Sequence, residues 1–247
     1  MTTSIEVSDL FVSYFGKPAV SGVRFSIRSG ELVGIIGPNG AGKSTVLKAI
    51  LHLIPFDKGE VKIFGKKVKH MRKKMAYVPQ RSEIDWDFPI HVLDTVLIGT
   101  YPELGLFRRP GKKEKDWAME CLKQVGMEKF YKHQIGELSG GQQQRVFIAR
   151  ALAQRAEIFL LDEPFVGIDM TSEEMIIQLL KRLRDEGKTI VVVHHDLSKA
   201  NDYFDELILL NKELIHMGST ETVLQPSIML KAYERELTFL KEIGVEA

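Results

Sequence analysis

Cysteine is nearly absent from this sequence. Cys121 is the single one in 247 residues. One thiol cannot build an internal disulfide framework, so the fold must rest on its core, as suits a reducing compartment. Cys121 itself reads as a small buried hydrophobe on a helix. Long apolar runs are absent too. No uninterrupted stretch approaches the roughly 18–20 residues that a membrane span needs. If the chain serves a pore, that pore must belong to another polypeptide. An excess of charge of either sign is also missing, with 34 Lys and Arg against 33 Asp and Glu and a formal charge of +1. Without a net basic field, nucleic acid is not an expected partner. The start, Met1-Thr2-Thr3-Ser4-Ile5-Glu6, has no basic segment leading into an apolar one, so no secretory signal is expected. There is no tandem repeat and no low-complexity segment.

What is present fits a globular α/β chain with a sizeable core, at 44% hydrophobic and 27% charged residues. Ile5, Val7, Val23, Phe25 and Ile27 alternate with polar residues, as half-buried strands do. Leu32 to Ile36 is a short apolar run that reads as a buried strand. Val46, Leu47, Ile50 and Leu51 follow at helical spacing. Met75 to Val78 reads as a second buried strand. The texture then changes, with predicted helices at 90–99, 114–125 and 140–154. Strands return at Ile158 to Leu161, Thr189 to Val193 and Glu206 to Leu210, with an amphipathic helix near 171–186. This alternation predicts a mostly parallel sheet.

Two strand ends carry chemistry. The first opens into Gly37-Pro38-Asn39-Gly40-Ala41-Gly42-Lys43-Ser44-Thr45, a complete G-x-x-x-x-G-K-[ST] phosphate loop between a strand and a helix. Backbone N–H groups must turn inward around phosphate oxygens, and a side chain at Gly40 or Gly42 would crowd that approach. Lys43 is expected on the β- and γ-phosphates and the Ser44 hydroxyl on Mg²⁺. The second strand end is Asp162-Glu163-Pro164. Two carboxylates closing a buried strand are costly unless they meet cations. Asp162 is expected to hold Mg²⁺, commonly through water, and Glu163 to polarise a water that attacks the γ-phosphate. GTP is not expected: in Asn211-Lys212-Glu213-Leu214 the fourth residue cannot accept the guanine N–H bonds, and a turn between strands explains the tetrapeptide.

A second glycine-rich segment, Leu138-Ser139-Gly140-Gly141-Gln142 with Arg145 downstream, reads by itself as a helix capped by Ser139 with an anion-binding N-terminus. Together with the phosphate loop, in that order and spacing, it resembles the signature of the ATP-binding-cassette (ABC) ATPases, and the resemblance covers essentially the whole chain. It implies a P-loop NTPase core with a mostly parallel sheet, an N-terminal antiparallel β subdomain and an inserted α-helical subdomain. The division would be 1–80 and 155–225 for the RecA-like core with its β subdomain, 81–154 for the helical insertion and 226–247 for a C-terminal helical tail. It implies ATP with Mg²⁺, and a head-to-tail homodimer in which Ser139, Gly140, Gly141 and Gln142 touch the nucleotide held by the partner. One chain has one loop and one signature, so a two-fold dimer supplies two composite sites.

The resemblance also assigns single residues. Tyr14, before Phe15-Gly16, would stack on adenine, with Phe15 as the competing choice. Gln80 would reach Mg²⁺ or the attacking water and couple the core to the insertion. Asp169 lies in the loop that crosses the dimer interface, where Ile168 departs mildly from the usual leucine. His195, directly before Asp196, would contact the γ-phosphate, leaving His194 structural. Adjacent histidines on a strand point to opposite faces and make a poor chelate.

The stretch Pro79 to Pro89 and the later Gly105-Leu106-Phe107-Arg108-Arg109-Pro110 resemble the ATPase subunits of bacterial manganese, zinc and iron importers. That implies an integral membrane permease as partner and an extracytoplasmic metal-binding protein acting through it. It also implies a peripheral place on the cytoplasmic face of the membrane. Trp86 and Phe88 either line a groove for a permease helix or are buried in the helical insertion. The competing classes are an ABC ATPase with no transporter and an importer of another substrate.

Overall fold

The computed structural model describes residues 2–104 and 108–233. Gly105, Leu106 and Phe107 of the subgroup stretch, and the expected tail beyond residue 233, lie outside the described residues. In chain order the strands are β1 (Thr3–Tyr14), β2 (Lys17–Arg28), β3 (Leu32–Ile36), β4 (Lys58–Ile63), β5 (Lys66–Lys67), β6 (Met75–Val78), β7 (Ile158–Asp162), β8 (Thr189–Val193), β9 (Glu206–Asn211) and β10 (Glu213–Ser219). The helices are α1 (Lys43–Ile50), α2 (Val92–Ile98), α3 (Tyr101–Leu104), α4 (Lys112–Gln124), α5 (Gly140–Ala153), α6 (Met170–Asp185), α7 (Ala200–Tyr203) and α8 (Thr220–Val223). The chain divides into two compact units, residues 1–69 with 191–247, and residues 70–190, with the second division inside β8.

The first unit holds an antiparallel sheet in the order β2-β1-β4-β5. β1 shows why its pattern is only half visible in sequence. Ile5 and Val7 are buried, and strict alternation would next bury Asp9 and Phe11. Asp9 instead adopts a left-handed φ of 48° where the register shifts. This bulge inserts one residue, so Leu10 and Val12 take the inner face. β3 pairs in parallel with β9, and β9 pairs antiparallel with β10. The turn between β9 and β10 is the single residue Lys212 at φ 62°, so the Asn211–Leu214 tetrapeptide is a turn, as its residues suggest. Every residue of β3 is buried.

The second unit pairs β6 in parallel with β7, both apolar and nearly wholly buried. α2, α4 and α5 pack on one another, and α5 also packs on β6 and α6. The helices fall close to their expected ranges. α2 starts at Val92 because His91 is extended and bridges Gln134. α4 starts earlier than expected, at Lys112, where the Glu114 carboxylate accepts from the Gly111 N–H at 2.7 Å.

The two aromatics offered as groove anchors separate here. The Trp86 ring lies edge-on to Phe147 with centroids 5.1 Å apart, and its Nε1 donates to the Arg81 carbonyl at 2.9 Å. Phe88 is 58% exposed. Trp86 is thus largely a packing residue, and Phe88 alone remains as a free anchor. Trp86→Ala should lower stability by about 2–3 kcal/mol, below the roughly 3–5 kcal/mol of a fully buried aromatic because the side chain is only half-buried. Phe88→Ala should change it by less than about 0.5 kcal/mol. Urea unfolding of the two variants measures both, and equal losses would contradict this division.

Candidate functional site

In the first unit, the phosphate loop leaves the buried strand β3 and enters α1 through Gly42 at φ 88°. The glycine requirement proves to have two different causes. A Cβ on Gly42 would stand 2.7 Å from the Ala19 carbonyl oxygen, so the chain's own β2 forbids it. A Cβ on Gly40 would meet no atom within 4 Å, and only its φ of 75° asks for glycine. Crowding by the protein therefore applies at Gly42 and not at Gly40. Lys43 is buried and reaches back across the loop, donating to the carbonyls of Gly37 at 2.8 Å and Pro38 at 2.9 Å. The half-exposed Ser44 and Thr45 follow in the first turn of α1, where backbone N–H groups attract anions.

Tyr14 ends β1 and is 43% exposed, and Phe15 is fully exposed at the hairpin turn. Both rings are open to stacking. Beyond β8, His194 is buried against Phe204 at a centroid distance of 5.6 Å and against Tyr203 at 5.9 Å, and its backbone N–H donates to the Ile35 carbonyl. His195 is exposed. The two neighbours thus have opposite environments, although both lie just past the end of β8 and not on the strand that the sequence suggested.

In the second unit, the five-residue strand β7 is buried throughout and ends on Asp162, which is 0% exposed. Glu163 breaks the strand with a left-handed φ of 47° and stands half-buried. That conformation is uncommon for a non-glycine residue and turns the side chain out of the strand's alternation. The Gln80 amide, just past the end of β6, donates from Nε2 to Glu163 Oε2 at 2.6 Å. With the amide nitrogen committed to the carboxylate, the Gln80 carbonyl oxygen is the atom left to face a cation.

The signature residues open α5. The Ser139 N–H donates to the Gln142 side-chain oxygen at 2.9 Å, and the Gln142 N–H donates to Ser139 Oγ at 3.4 Å. This reciprocal cap leaves Ser139 exposed. Gly141 has no room for a side chain as its neighbours stand, and Gly140 has little. A Cβ on Gly141 would lie 2.4 Å from Ser172 Oγ, and one on Gly140 would lie 3.0 Å from the Gly167 carbonyl oxygen. Asp169 caps α6 by accepting from the Ser172 N–H at 2.9 Å and its hydroxyl at 2.8 Å, and these bonds hold its carboxyl below the usual range. Arg145 is spent inside the unit, donating to the Val125 carbonyl at 3.2 Å.

Sequence reasoning passed over Arg81. Its guanidinium donates to Gln143 Oε1 at 3.0 Å and lies against the Cβ position of Gly140. It joins the Gln80 segment to the first turn of α5. No pattern in the sequence marks this, because the partners are 62 residues apart.

The structure therefore brings Gln80 to Glu163, and the signature to Asp169 and Ser172. The phosphate loop and His195 belong to the first unit. Of the residues expected to hold Mg²⁺, Ser44 belongs to the first unit, and the second unit offers the Gln80 amide oxygen and the fully buried Asp162 carboxylate; each is an oxygen donor, the kind that suits a hard cation. The glycine loop, with open space at Gly40 and a helix N-terminus behind it, suits a nucleotide's phosphates.

A Gly141→Ala substitution should push Ser172 aside and loosen the Asp169 cap, at a cost of about 1–3 kcal/mol. Gly40→Ala should cost about 1–2 kcal/mol, from its left-handed backbone alone. Chemical denaturation measures both, and a Gly141→Ala variant as stable as the unaltered chain would contradict the close packing at Gly141.

Comparison with known proteins agrees with this geometry. The family described as ABC transporter matches residues 20–166. The manganese transport system ATP-binding protein MntB of Listeria monocytogenes is 62% identical over 217 residues, 88% of this chain and 90% of that protein. The zinc transport system ATP-binding protein TroB of Treponema pallidum is 50% identical over 230 residues, 93% of this chain and 86% of that protein. A solved dimeric ATP-binding cassette, in a post-hydrolysis state bound to ADP and Pi, superposes with a TM-score of 0.76 at 34% identity, covering 87% of this chain and 98% of that one. With the family match spanning more than half of its length, this chain belongs to the ABC transporter family as an ATP-hydrolysing cassette.

Proposed function

We propose that this chain is the ATPase subunit of a membrane importer for a transition-metal ion, with manganese as the cargo and zinc or iron as the alternatives. The observation that supports it most is the 62% identity to a manganese transport ATP-binding protein across 88% of the chain. Among the described residues, no helix is long and apolar enough to cross a membrane. The pore is then a separate permease, fed by an extracytoplasmic metal-binding protein, and the chain sits peripherally on the cytoplasmic face. The cargo ion passes through the permease and does not touch this chain.

Each residue has a role in this reading. Lys43 and the backbone of the loop from Gly37 to Thr45, through every N–H but that of Pro38, which has none, hold the phosphates of ATP, and Tyr14 or Phe15 stacks on the base. Ser44, Asp162 and Gln80 hold Mg²⁺, which when bound neutralises charge on the transferring phosphoryl group. Glu163 takes the proton of the attacking water, and His195 donates to the γ-phosphate. Ser139, Gly140, Gly141 and Gln142 close on the partner's nucleotide. ATP binding closes the dimer and hydrolysis reopens it, which moves the permease between its two facing states. Residues 81–154, as the helical insertion, carry the permease contact, and 1–80 with 155–225 form the nucleotide-binding core.

Two experiments test this. Ser139→Arg and Lys43→Ala subunits, each inactive by itself, should regain activity when mixed. A mixed dimer gathers both defects in one site and leaves the other intact. Random mixing should restore up to roughly a quarter of wild-type ATPase activity. No recovery despite demonstrated mixed dimers would contradict sharing across the interface. In the whole transporter, Lys43→Ala should abolish ATP-driven manganese uptake. Zinc uptake without manganese uptake by the unaltered transporter would move the cargo and keep the ATPase.

A further inference from the structure

The hydroxyl of Tyr77 is shut off from solvent and has no hydrogen-bond partner among the described residues. A buried phenol normally finds a partner, because a stranded donor forfeits its bond to water. Phenylalanine would fill this position without that penalty. The strand register shows which residues share its face. β6 and β7 are parallel, with Tyr77 paired to Leu160 and Val78 to Leu161. Side chains two residues apart on a strand share a face, so Tyr77, Leu160 and Asp162 stand on one face of the sheet. Asp162 is fully buried. Burial first, and then the charges of Asp162 and Glu83, push the phenol above its ordinary range, so it keeps its proton and remains a donor. Three residues on, Gln80 already donates to Glu163, the neighbour of Asp162. The ends of β6 and β7 thus bond Gln80 to Glu163 and set Tyr77 on the sheet face that carries Asp162.

We propose that Tyr77 is a positioning residue for Asp162, its O–H serving as the donor that fixes the orientation of that carboxylate when Mg²⁺ and ATP are bound. This rests on the reading of Asp162 as a holder of Mg²⁺. A carboxylate that meets a cation through one oxygen keeps lone pairs on the other, and a donor there holds it from rotating. Partners of this outer kind change metal affinity by about 10–100-fold when removed.

The test uses the full chain and a fluorescent ATP analogue, with Mg²⁺ titrated and binding read without turnover. Tyr77→Phe should raise the half-saturating Mg²⁺ concentration about tenfold. Binding at saturating Mg²⁺ should be unchanged, and the melting temperature without nucleotide should be unchanged or higher. Glu83→Gln should leave the Mg²⁺ dependence as it was. Asp162→Asn should weaken the Mg²⁺ dependence, and adding Tyr77→Phe to it should weaken it no further. A Tyr77→Phe titration within twofold of wild type overturns the proposal. So does a shift that adds in full to that of Asp162→Asn, or one that Glu83→Gln reproduces. An Asp162→Asn variant with wild-type Mg²⁺ dependence would instead remove the underlying assignment of Asp162.

Discussion

A buried strand that must end in two carboxylates is the constraint on which the site depends. Apolar side chains draw β7 wholly into the interior, and Asp162 goes in with them to 0% exposure. An ionised carboxylate out of water costs several kcal/mol unless cations and donors replace its hydration. The chain answers that cost in its local structure. Glu163 leaves the strand through a left-handed turn and meets the Gln80 amide at 2.6 Å.

The same constraint links chemistry to movement. Gln80 and Arg81 are adjacent in sequence but serve different ends. Gln80 is bonded to Glu163, while Arg81 is bonded to Gln143 in the first turns of α5 and carries the Trp86 indole on its carbonyl. A shift of this segment must therefore disturb the carboxylate and the signature helix together. That is the physical content of coupling: an element whose position two sites both bias. The glycines of the signature extend it, because Gly141 leaves no slack against Ser172 and Asp169.

Much of this was legible from residue order. The phosphate loop is contiguous, so its spacing alone announces it, and β3, β6, β7 and β8 are apolar runs whose burial follows directly. Other elements were hidden for identifiable reasons. The bulge at Asp9 breaks the alternation of β1, so Leu10 and Val12 fall out of phase with Ile5 and Val7. β4 buries only Val61 and Ile63 among lysines, glycine and glutamate, too few for a periodic signal. The Gln80–Glu163 contact spans 83 residues and the Arg81–Gln143 contact 62, distances that only the fold closes. Trp86 and Phe88 are two residues apart and chemically alike, yet one packs on Phe147 and the other faces solvent.

In the function proposed above, the Glu163 carboxylate, held by the Gln80 amide, takes the proton from the attacking water. Glu163→Gln removes the base and keeps the side chain's size and hydrogen-bonding reach. The decisive measurement is single-turnover ATP hydrolysis by this variant beside its ATP affinity. The expected result is near-normal binding, an ATP-trapped dimer, and hydrolysis slowed by at least about 100-fold. Hydrolysis at close to the wild-type rate would contradict it.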